Sequence, residues 1–109
     1  MNSKTIEIKN RPERILEAAI WYKDEEFFPT VNNIDVGTVI TGFRHHIIIQ
    51  YYFKKFGKRT GGNDVHVQGF STSKNRFVDR EEARKIALER GQIDEKTHHE
   101  TDLFSEDLY

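Results

Sequence analysis

Cysteine is absent from the 109-residue chain, methionine and tryptophan occur once each, and proline occurs twice. Without thiols there is no disulfide, zinc ribbon, iron–sulfur cluster or Cys nucleophile, which leaves His and carboxylates as the strong metal-binding candidates. No run approaches the roughly 18 apolar residues that a membrane span needs, and the opening MNSKTIEIKN has no apolar core of the signal-peptide kind. These absences point to a cytoplasmic protein. Hydrophobic residues make up only 36% against 32% charged, yet eight Phe, four Tyr and one Trp supply bulk that disordered chains lack. The length suits one domain, residues 1–109, because independent cores are rarely built from much fewer than about 50 residues.

The net charge of −1 hides an uneven distribution. Residues 1–43 carry five cations against seven carboxylates, residues 44–90 eleven against five, and residues 91–109 one against six. A basic middle within a neutral chain argues against unspecific duplex binding and permits a compact pocket for a few phosphates. It equally fits a solvated face whose charges the tail offsets.

Residues 4–9, KTIEIK, alternate as a half-buried strand does; in RPERILEAAIWYK, Pro12 fits a helix start while the run from Ile15 to Tyr22 suits a buried strand, and a strand is expected. The polar stretch from Lys23 to Asp35 is a loop leading to the extended segment GTVITGF. From Arg44 the period changes. Ile48, Ile49, Tyr52, Phe53 and Phe56 form a stripe that a helix would bury, ending in a lysine cluster and Gly57, although HIIIQYYF is also strand-prone. VHVQGF and RFV flank the polar turn STSKN as a second hairpin. Asp79 followed by Glu82 predicts a capping box opening a helix that buries Ala83, Ile86 and Ala87 and stops at Gly91. DEKTHHETD reads as a solvated linker, and the tail LFSEDLY, residues 103–109, offers apolar anchors for docking. Strand–turn–strand–helix therefore occurs twice. The expected fold class is α+β, a small antiparallel sheet from two strand-hairpin-helix units with helices packed on one face.

Two stretches combine residue types that bind phosphorylated ligands. GFRHH places Arg44, His45 and His46 where a strand gives way to a helix, whose free amides favour anions. QGFSTSKNRFVDR joins Phe70 and Phe77 for base stacking, Arg76 and Arg80 for phosphate, and Ser71, Thr72 and Asn75 for base edges or sugar hydroxyls. The same residues also fit locally bonded histidines and an ordinary hairpin with core phenylalanines. The five histidines lack metal-site spacing, and no nucleophile elbow, Walker loop or dinucleotide fingerprint is present. No metal site, no cofactor and no catalytic residue is expected.

The succession AAIWYKD, GFRHH, QGFSTSKNRFVDREEARKIA, GQI and LFSEDLY resembles the Thoeris anti-defence family of small phage proteins over most of residues 15–109. That resemblance implies a sponge rather than an enzyme. Family members capture cyclic ADP-ribose isomers made by bacterial TIR-domain proteins, some also hold cyclic oligonucleotides, and they work as homo-oligomers. Carried onto this sequence, the implied ligand set is Arg44 for phosphate, Phe70 for stacking, and Thr72, Asn75, Arg76 and Arg80 as lining; the local reading of GFRHH adds His45 beside Arg44. The alternative is a phage-encoded interaction module that inhibits a host protein through the acidic aromatic tail.

Overall fold

Strand β1 (Ile15–Tyr22) carries Ala18, Ala19 and Ile20 in succession, none with exposed surface. A strand buried at consecutive positions has both faces covered, and this requirement organises the molecule. The computed structural model describes residues 12–62 and 64–108; the strand expected at 4–9 lies outside them. β1 is flanked by β2 (Thr38–Gly42) and β3 (His66–Thr72), with β4 (Phe77–Asp79) beyond β3, in an antiparallel sheet of order β2-β1-β3-β4. Helix α1 (His45–Phe56) follows β2 and α2 (Arg80–Arg90) follows β4. Two strand–strand–helix units thus meet through their first strands, which is the α+β arrangement the sequence predicts.

The helices cover one face. Ala18, Ile20 and Tyr22 of β1 pack there with Ile48 and Tyr52 of α1, Ala83, Ile86 and Ala87 of α2, and Phe70. Ile15 joins the same face because a register shift between Ile15 and Glu17 resets the two-residue alternation. Tyr22 and Tyr52 stack at 3.8 Å between ring centres. Burial of this kind is worth about 25 cal/mol per Å² of apolar surface removed from water.

The opposite face is covered by the connection between β1 and β2. Val31 packs with Ala19, Val39 and Phe77, and Ile34 and Trp21 close over them. The indole of Trp21 donates to the Val36 carbonyl at 2.8 Å. The expected loop is therefore a second small core layer. Its polar residues also bind the sheet: the Asn33 carboxamide accepts from Phe77 N–H and donates to Phe77 C=O, both at 2.7 Å.

Local signals hold closely for α2. The Asp79 carboxylate accepts from Glu82 N–H at 2.9 Å, and the helix ends on Gly91 at φ 75°. The reciprocal half of the capping box differs, since the Glu82 carboxylate lies 3.6 Å from the Arg76 guanidinium. Gly69 is required for another reason: a Cβ there would lie 2.0 Å from the Val78 carbonyl oxygen.

Helix α1 departs from its predicted stripe. Ile48 and Tyr52 are buried, but Phe53 is 52% exposed and Phe56 39% exposed. Ile47 and Tyr51, on the other flank, are also exposed. The helix carries more apolar surface than the sheet can cover, and this excess shapes the groove described next.

Candidate functional site

The seven residues expected to bind ligand fall into separate groups. Arg44 is the N-cap of α1, half-buried, with its guanidinium 4.8 Å from the Phe43 ring. His45 is buried between α1 and β3, where its Nε2 lies 2.8 Å from the Gly69 carbonyl oxygen and its ring meets Phe70 edge-on at 5.1 Å. Burial pushes the His45 pKa down from 6.5 to about 4, so the ring is neutral and Nε2–H is the donor. Phe70 has no exposed surface, so it has no face to offer a base.

At the β3–β4 turn, Thr72 and Arg76 both grip Glu13. The Thr72 hydroxyl and Arg76 Nε donate to Oε2 at 2.6 Å each, and Arg76 Nη2 donates to Oε1 at 2.8 Å. Arg76 first, and then Thr72, hold the Glu13 carboxyl below its ordinary pKa of 4.5 against the opposing effect of burial. Asn75 sits at the turn with φ 54°, a conformation Asn tolerates. The Thr72 and Arg76 side chains thus tie the hairpin to the start of β1 through Glu13.

Arg80 lies under the tail. Its Nη1 donates to the Leu103 carbonyl at 2.9 Å, its Nη2 to Gln68 Oε1 at 2.5 Å, and its guanidinium is 4.6 Å from the Phe104 ring. Leu103 and Ser105 are fully buried. The segment expected to be a solvated linker also contains a buried residue. His98 accepts from Arg84 Nε at its Nδ1, 3.0 Å, and donates from Nε2 to Asp107 at 2.9 Å. Asp107 in turn caps the Phe104 N–H at 2.8 Å. Sequence spacing carried no signal for this network, because Arg84 and Asp107 are 14 and nine residues from His98.

A larger concavity than the one beside Arg80 lies elsewhere. A groove of about 790 Å³ runs between the outer edge of β2, the exposed flank of α1 and the 25–30 segment. Phe27, Phe28, Tyr51 and Phe56 form its walls, Ile40 and Ile48 its floor, and Thr30, Thr38, Thr41 and Lys55 bring polar groups. Phe28 is 65% exposed and Tyr51 50%. The wall is anchored at Glu25, which accepts from Lys58 Nζ at 2.7 Å and from the Tyr52 hydroxyl at 2.8 Å. Lys58, then Tyr52, keep the Glu25 carboxyl below its ordinary pKa, while burial and Glu25 push Tyr52 up to about 12. Of the groove residues, the expected site contains none; a clue was available in the apolar excess of HIIIQYYFKKF beside the pair Phe27-Phe28.

Among the described residues, no three His, Asp or Glu side chains are placed to hold a metal ion, and no helix is long and apolar enough to cross a membrane. Fold and groove together define an antiparallel α+β protein with an open, aromatic-walled groove. Residues 14–109 match the family described as phage T4 y16D protein, and the chain belongs to that family. No curated protein and no solved structure matches it.

Proposed function

We propose that this phage protein captures a nucleotide immune signal, a cyclic ADP-ribose isomer or a cyclic oligonucleotide, and holds it without cleaving it in the cytoplasm of the infected bacterium. The observation that carries this reading is the groove. Its volume of about 790 Å³ suits a dinucleotide-sized guest. Four aromatic rings provide stacking surfaces for bases, three threonine hydroxyls suit sugars, and Lys55 supplies a cation for phosphate. The resemblance of the QGFSTSKNRFVDREEA block to signal sponges supports the same class of ligand. The guest is placed in the groove rather than at Phe70, whose ring is enclosed. A second copy of the chain covering the open side would exclude water and tighten the hold.

The reading of the tail as a host-binding element has less support, because Leu103 is buried within the chain and Phe104 lies against Arg80. Incubating the protein with the product of an active TIR-domain enzyme, removing unbound material and heating it tests the proposal. Mass spectrometry is expected to find an intact nucleotide released. An empty protein refutes capture, and recovery of cleaved fragments makes the protein an enzyme.

A further inference from the structure

The outer edge of β2 borders the groove. The Lys23 N–H donates to Val65 C=O at 3.0 Å, so beyond the register shift, from Glu17 onwards, the odd-numbered residues of β1 bond towards β3 and the even-numbered ones towards β2. Tyr22, Ile20 and Ala18 therefore face Thr38, Ile40 and Gly42, and the intervening Val39 and Thr41 turn N–H and C=O outwards. The Thr30 hydroxyl, donating to Val39 C=O at 3.1 Å from the outer side, fixes the same phase.

An outward-facing strand residue presents one donor and one acceptor side by side. Elsewhere in this fold such a pair is met by a planar carboxamide. Asn33 pairs with both groups of Phe77 on the outer edge of β4, and Gln92 pairs with both groups of Ile15, at 2.8 Å each, where β1 runs beyond β2. On β2, the Gly37 and Val39 carbonyls accept from Phe28 N–H and the Thr30 hydroxyl. Thr41 is the next outward residue, it is exposed, and no described residue hydrogen-bonds its N–H or C=O. It opens into the groove beside Ile47 and Tyr51.

We infer that the backbone of Thr41 reads the edge of an adenine base held in the groove. Adenine carries an amino donor next to a ring-nitrogen acceptor in one plane, the same pattern a carboxamide presents, on an aromatic system that stacks. The 6-amino group donates to Thr41 C=O and the adjacent ring nitrogen accepts from Thr41 N–H. Tyr51 and Ile47 lie against the base from the helix side and Phe27 and Phe28 from the loop side. This rests on the nucleotide-capture reading and narrows its ligand to adenine-bearing nucleotides.

The test is titration of the full chain with AMP and with purine riboside 5′-monophosphate, which lacks the 6-amino group, followed by amide NMR. AMP is expected to shift the Thr41 N–H resonance and to bind about tenfold more tightly than the analogue, the effect of one lost hydrogen bond with its partner left unpaired. Thr41→Pro removes the N–H at an edge position where proline is tolerated, and should weaken AMP to a similar degree. Equal affinity for the two nucleotides, or AMP binding that leaves the Thr41 amide unmoved, overturns the adenine reading. In that case capture of nucleotides in general still stands. If neither nucleotide binds and no groove amide shifts, and heat releases no nucleotide from the incubated protein, capture falls as well.

Discussion

Carboxamides do structural work here that no motif announces. Asn33 satisfies both backbone groups of Phe77, and truncation to alanine leaves a partly buried donor and acceptor unmet. Asn33→Ala is expected to cost about 1–3 kcal/mol in urea denaturation. His45 makes a different prediction. Its folded pKa is depressed from 6.5 to about 4, chiefly by burial, while Arg80 and Glu106 act on the ring with opposing signs. Between those values the unfolded chain binds a proton that the folded chain refuses, so stability falls as pH drops from 6.5 towards 4. Glu13 acts at lower pH: its folded pKa lies below 4.5, so its contribution is present above that value and lost as pH falls through the folded pKa. Denaturation curves across pH should show the first slope reduced in His45→Gln and unchanged in Arg76→Met. Parallel slopes for wild type and His45→Gln would contradict the assignment.

The elements legible in the sequence are those whose signals are local. Asp79 and Gly91 bracket α2 because a cap needs only neighbouring amides, and Asp79→Ala should cost about 1 kcal/mol of stability. The covering role of residues 23–37 was not legible, since Val31 and Ile34 stand among polar residues and acquire their burial only from the sheet beneath. The burial of His98 is hidden in the sequence for the same reason: its partners come from α2 and the tail. The tail itself divides sharply. Leu103 is fully buried in the main core and Phe104 is 39% exposed. Leu103→Ala is expected to destabilise by about 2–5 kcal/mol and Phe104→Ala by about 1 or less, measured by thermal or urea unfolding. The groove was hidden because its walls come from three separate stretches, 25–30, 38–42 and 47–56.

As a whole the molecule is two similar halves whose outer edges are finished differently. On the β4 side, the chain closes its own edge with Asn33. On the β2 side no described residue hydrogen-bonds the Thr41 backbone, which stands beside a set of exposed aromatic rings. That asymmetry is the physical basis for the proposal that capture lies in the first half, although the residues expected from composition and resemblance lie mainly in the second. Tyr51 and Asn75 separate the two placements, because one belongs to the groove wall and the other to the β3–β4 turn. Both sit at exposed positions, and Asn75→Gly keeps the left-handed turn. The decisive measurement is calorimetric titration of the heat-released nucleotide into wild type, Tyr51→Ala and Asn75→Gly. Removal of the tyrosine ring should weaken binding about tenfold, and the turn variant should bind as wild type does. Unchanged affinity in Tyr51→Ala together with loss in Asn75→Gly would place the guest at the hairpin and contradict the groove.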